Sequence, residues 1–76
     1  MFYTMEIHKL NERQADILQV AFKDRDVIIE VLPPLSEELG VMDVTISNIH
    51  PVTMTPLIMW VLHHIDKCNY ERIEIS

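Results

Sequence analysis

Residues Tyr3 to Lys9 alternate. Tyr3, Met5 and Ile7 are apolar, and Thr4, Glu6 and His8 are polar. This period of two defines a β-strand with one face to be covered and one face left wet. A strand of this kind needs a second layer, and the residues after it supply one. Asn11 followed by Gln14 is the pattern of a helix N-cap with its capping-box partner. Ala15, Ile17, Leu18, Ala21 and Phe22 then recur at helical spacing and predict a helix from about Glu12 to Lys23. Asp24-Arg25-Asp26 reads as the turn that ends it.

The rest of the chain repeats the scheme. Val27 to Leu32 is rich in β-branched residues and reads as a second strand, halted by Pro33-Pro34. Leu35 to Gly40 has the composition of a single helical turn, with Gly40 as its stop. Val41 to Ile49 reads as a third strand with Met42, Val44 and Ile46 on one side, ended by His50-Pro51. Thr55-Pro56 is a helix-start signal, because proline loses nothing in a first turn. It predicts a helix from Pro56 to about Lys67. Tyr70 to Ile75 closes the series as a fourth strand, with Ile73 and Ile75 facing inward.

The order β-α-β-β-α-β predicts an α+β two-layer sandwich, with two helices on one face of a four-stranded sheet. The ferredoxin-like split βαβ is the expected topology. With 76 residues, 1–76 is expected to be a single domain. A chain of this length buries only about 60% of its unfolded surface, so its core is small. The single cysteine allows no internal disulfide to compensate. This fold hosts many unrelated functions and carries no functional information by itself.

Composition narrows the function classes. One glycine excludes glycine-rich phosphate loops and dinucleotide fingerprints. Twelve acidic residues against six basic ones give a formal charge of −6, which opposes direct binding of nucleic acid. The start of the chain lacks the basic-then-apolar pattern of a secretory signal. The longest apolar run, Leu57 to Leu62, is far short of the roughly 20 residues a membrane span needs. A lone Cys68 suits a reducing compartment, so a soluble cytoplasmic protein is expected.

Two surfaces are unusual. Strand parity places Thr4, Glu6, His8, Ile28, Glu30, Leu32, Asp43, Thr45, Ser47, Tyr70, Arg72 and Glu74 on the face away from the helices. RNA-binding sheets carry aromatic and basic residues there; this one carries Glu6, Glu30, Asp43 and Glu74. Glu12, Asp16, Asp24 and Asp26 form a second acidic set, and Glu37 and Glu38 extend it. Acids on a wet face serve solubility, and they also fit docking to a basic partner. The second helix is apolar nearly all round, from Leu57 to Leu62 and on to Ile65. Either the Leu35–Leu39 segment covers its extra face, or Met59 and Trp60 belong to a homodimer seam.

Candidate chemistry is thin. His64 and Cys68 share a helical spacing, yet a structural zinc needs four ligands and a catalytic zinc three. His63 and His64 diverge by about 100° on a helix. A Cys68 nucleophile with His64 as base lacks a recognisable oxyanion hole. Glu6 and Glu30 on neighbouring strands form a flat rather than concave site. No catalytic residue, metal or cofactor is expected. The sequence reads as a small acidic protein-binding module, a homodimer that inhibits or regulates a basic partner. A DNA- or RNA-binding protein fits that partner's chemistry, with carboxylates standing in for phosphates. The alternative is a small-molecule enzyme or ligand-binding subunit with its site at an oligomer interface.

Overall fold

A computed structural model describes residues 1–32 and 40–76. The expected turn over Leu35–Gly40 and the acids Glu37 and Glu38 fall wholly or mostly outside the described residues. The elements run β1 (Tyr3–Leu10), α1 (Glu12–Phe22), β2 (Ile28–Leu32), β3 (Met42–Ile49), α2 (Pro51–His64), a 3-10 turn at Tyr70–Arg72, and β4 (Ile73–Ile75). The sheet is antiparallel with strand order β2-β3-β1-β4. Each helix therefore joins two strands that have another strand between them, which is the split βαβ arrangement expected from the sequence.

The alternation of β1 decides where the core lies. Met5 and Ile7 are fully buried, and they face Ile46 and Val44 of β3 in register. Ala15, Leu18 and Phe22 of α1 pack into the same cluster, as do Met54, Leu57 and Val61 of α2, followed by Ile65. Both helices thus cover one side of the sheet. The capping box forms as read: Asn11 accepts from the Gln14 N–H at 2.8 Å, and the Gln14 side chain accepts from the Asn11 N–H at 3.0 Å.

Strict alternation would turn Lys9 inward and leave Leu10 and Ile49 outside. Two irregularities reverse this. The β1–β3 register slips between Ile7 and Leu10 and again between Tyr3 and Met5. The backbone enters the left-handed region at Lys9 (φ 58°) on β1 and at Asn48 (φ 63°) on β3. Asparagine tolerates that region, whereas lysine does so at a conformational cost. Each bulge shifts side-chain parity by one residue, and Leu10 and Ile49 become fully buried.

Three boundaries differ from the sequence reading. The second helix starts at Pro51, not Pro56. His50 caps it, its Nδ1 accepting from the Val52 N–H at 3.1 Å, and Pro51 takes the first helical position. Pro56 then sits inside the helix, where it cannot donate to the Val52 carbonyl. The helix ends at His64 because Ile65 adopts an extended conformation (φ −93°, ψ 113°) and enters the core. The fourth strand is only Ile73–Ile75; Tyr70 and Arg72 lie in the preceding 3-10 turn and not on the strand. Asn69 imposes that turn by accepting from the Glu71 N–H at 3.0 Å.

No described helix is long and apolar enough to cross a membrane. Ile46→Ala should cost about 2–5 kcal/mol, since it opens a cavity at a fully buried position on a central strand. Asn11→Ala should cost about 1 kcal/mol through loss of the cap. Urea unfolding of the two variants checks both values and their order.

Candidate functional site

The side of the sheet away from the helices carries the site. Register places Glu30 opposite Thr45, Thr45 opposite Glu6, and Glu6 opposite Glu74. Three carboxylates therefore lie in one row across all four strands. Adjacent strands are about 4.8 Å apart, so Glu6 and Glu74 are immediate neighbours and Glu30 stands two strands away. Like charges directly opposite each other on a sheet repel and destabilise it.

His8 answers this repulsion. Its Nε2 lies 3.1 Å from Glu74 Oε2, and its Nδ1 lies 3.2 Å from Asp43 Oδ2 and 3.8 Å from Glu6 Oε1. One imidazole thus links β1, β3 and β4. Asp43 is 3% exposed, and its other oxygen accepts from the Lys9 N–H at 3.2 Å. The bulge at Lys9 brings that N–H to the carboxylate, so the irregularity that buries Leu10 also anchors Asp43. Burial on its own lowers the His8 pKa. Hydrogen bonds with Glu74 and Asp43, together with the charges of Asp43 and Glu6, outweigh it and raise the pKa above the usual 6.5.

Arg72 fixes the edge of the site. Its guanidinium donates to the carbonyls of His8 and Lys67 at 3.0 Å and also to that of Lys9. The arginine expected on the open face is instead spent on backbone carbonyls at the end of β1. The described residues of the face therefore retain His8 as the positive group beside the acidic row.

The other expected site residues lie apart from this cluster. Glu12 and Asp16 are exposed on α1, in the helix layer, and Asp24 and Asp26 are exposed on the turn that follows it. Asp26 borders an open groove of about 820 Å³, lined also by Phe2, Arg25, Val27, Ile28 and His50. On α2, Met59 is 58% exposed. Trp60 is half-buried, edge-on to Phe22 at 4.9 Å and stacked on His64 at 4.6 Å. The His64 and Cys68 pairing considered from spacing does not form a site. His64 Nδ1 lies 3.1 Å from the Trp60 carbonyl, and Cys68 falls beyond the helix end. Burial raises the Cys68 pKa, with the Arg72 charge and a backbone hydrogen bond at Asn69 acting the other way, which disfavours a thiolate.

Among the described residues, the group able to offer three metal-ligand atoms within 4.8 Å of one another is Glu6, His8 and Glu74. Sequence reasoning placed His8 on this face without seeing it as the hub. The available signal was parity: His8 sits two residues from Glu6 on the same side of a strand. Comparison with known proteins finds no family model, no curated protein and no solved structure that matches the chain.

The sign of the His8 effect on stability follows from its raised pKa. The stabilising charge is fully present below the unfolded value near 6.5 and is lost as pH rises through the higher folded value. The melting temperature should fall by a few degrees between about pH 6 and pH 9, in the range where histidine titrates. His8→Gln should flatten that slope. Thermal unfolding in a chelating buffer at both pH values is the check.

Proposed function

We propose that the chain is a small protein-binding module that inhibits or regulates a basic partner through its open sheet face. The observation that carries this reading is the row Glu30, Glu6, Glu74 across the sheet face away from the helices, in a chain of net charge −6. A partner's lysines and arginines would meet carboxylates spaced along a rigid surface, as they meet phosphates along a nucleic acid. A nucleic-acid-binding protein is thus the partner class that fits best. Complementary charge of this kind speeds encounter and selects the partner more than it sets affinity. Asp43, being buried, contributes through its field and through His8. Exposed Ile28 and Leu32 flank the row and supply apolar contact beside the charge. Catalysis forms no part of this reading.

A second copy of the chain is the fitting occupant for α2. Val52 is 76% exposed and Met59 58%, and with Pro56 they fall on one outward stripe of the helix. Trp60 borders that stripe. A dimer through it would enlarge the buried apolar area of a domain whose own core is small.

Two measurements test these readings. Basic proteins captured from lysate at about 50 mM salt should be released at about 300 mM, because exposed charges are screened over roughly 10 Å at 0.1 M. An excess of duplex DNA should displace them, and the double variant Glu6→Lys, Glu30→Lys should not retain them. Capture indifferent to salt, DNA and charge reversal would reject docking. For the dimer, sedimentation should give twice 8.9 kDa at micromolar concentration, with Met59→Glu shifting the protein to monomer. A monomeric parent protein would reject the seam.

A further inference from the structure

We propose that Glu6, His8 and Glu74 form a binding site for a single divalent transition-metal ion of the zinc type, oriented by the buried carboxylate of Asp43. The proposal shares Glu6 and Glu74 with the docking face, but it concerns a small cation and requires no partner.

Both ring nitrogens of His8 face carboxylate oxygens, at 3.1 Å and 3.2 Å. Carboxylates only accept hydrogen bonds, and a neutral imidazole donates from one nitrogen alone. If Nδ1 donates to Asp43, the Nε2 lone pair points at the oxygens of Glu74, and a positive species must lie between them. A metal ion meets that demand with a larger charge than a proton.

Strand register adds to this. It places Glu6 and Glu74 directly opposite each other on adjacent strands beside the same ring, an arrangement that a cation bound between the two relieves. Local rules are broken in this way where a site is built.

The donor set and its support suit such an ion. Zinc takes imidazole nitrogen and carboxylate oxygen at about 2.0–2.2 Å in tetrahedral geometry, which sets two ligand atoms roughly 3.5 Å apart. The three candidate ligand atoms already lie within 4.8 Å of one another. Glu74, with a side chain 70% exposed, is free to close the remaining gap. A metal-binding histidine normally donates its other ring N–H to a carboxylate, which fixes the tautomer and the ring plane. Asp43 has that position and is itself held by the Lys9 N–H. Arg72 braces the same strand end by binding the His8 carbonyl. Three protein ligands leave a fourth position for water or for an atom of a bound molecule. The imidazole selects a borderline ion over magnesium, which prefers oxygen alone.

Calorimetric titration of the whole chain with zinc chloride, near pH 7.5 and with no partner present, tests the site. One ion should bind per chain with micromolar affinity, and magnesium chloride at the same concentrations should give no heat. Glu74→Gln, at an exposed position that leaves the core untouched, should weaken zinc binding more than tenfold, and so should His8→Gln. The triple variant His63→Ala, His64→Ala, Cys68→Ser should bind within about twofold of the parent. In the cobalt(II) form, Asp43→Asn should shift the visible d–d bands, which report the coordination sphere and not the stability of the fold; unchanged bands would remove Asp43 from the site. Absence of saturable zinc binding, or binding lost in the triple variant and kept in Glu74→Gln, overturns the proposal. Neither result bears on salt-sensitive capture of a basic protein, so the two readings fail separately.

Discussion

The alternation along β1 is the constraint on which the other features depend. This strand lies inside the sheet, between β3 and β4. Its odd-numbered side chains, Met5 and Ile7, begin the core beneath both helices, and its even-numbered ones, Glu6 and His8, begin the polar cluster on the other side. A slip of one residue would put Glu6 and His8 among the helices and Met5 and Ile7 in water. The burial of thirteen of the described apolar residues in one cluster therefore fixes the position of the charged groups as firmly as that of the core. The site comes from the same register that folds the domain, and no separate loop is needed to build it.

That arrangement has an electrostatic cost. Asp43 is removed from water almost completely, and Glu6 faces Glu74 across a strand pair. A buried carboxylate is tolerated only when it is hydrogen-bonded and paired. Asp43 meets this with one backbone N–H and one imidazole, so no buried side-chain polar atom among the described residues is left without a partner. A chain built for solubility alone has no reason to assemble these acids round one histidine; spreading them apart would serve solubility at lower cost. Their convergence is what separates this face from the acids of α1 and its turn, which are exposed and lie apart from this cluster.

Much of the fold was legible because it rests on local patterns. The capping box at Asn11 and Gln14, the alternation of Tyr3 to His8 and the β-branched run ending at Leu32 each commit a segment with information close by in sequence. Three features were not legible for the same reason in reverse. The bulges at Lys9 and Asn48 answer to the core's demand for Leu10 and Ile49, which no local pattern announces. Pro51 and Pro56 both offer a helix start, and the choice between them falls to His50, whose side chain caps the earlier one. Arg72 looked like a strand residue because Tyr70 to Ile75 alternates, yet Asn69 folds the first part of that segment into a turn. In the site, parity identified the face and four of its acids. The hub was hidden because the neighbours of His8 come from β3 and β4, and only the strand order brings Asp43 and Glu74 to it.

The short edge strand shows how charge and fold are coupled here. β4 has three residues. It is held by its pairing with β1, by the reciprocal bonds between Thr4 and Ser76 at 2.8 and 2.9 Å, and by Ile73 packed against the core. Ile75 is 45% exposed, so it contributes only part of its apolar area. Against these modest attractions stands the repulsion between Glu74 and Glu6. Positive charge at His8 offsets that repulsion, because its Nε2 contacts the glutamate on β4 while its Nδ1 contacts Asp43 of β3. A single ring therefore joins the sheet's interior to its weakest edge. Edge strands with few contacts open more readily than central ones, and here the contacts that hold the edge include the ion pair between Glu74 and His8 on the face that it completes.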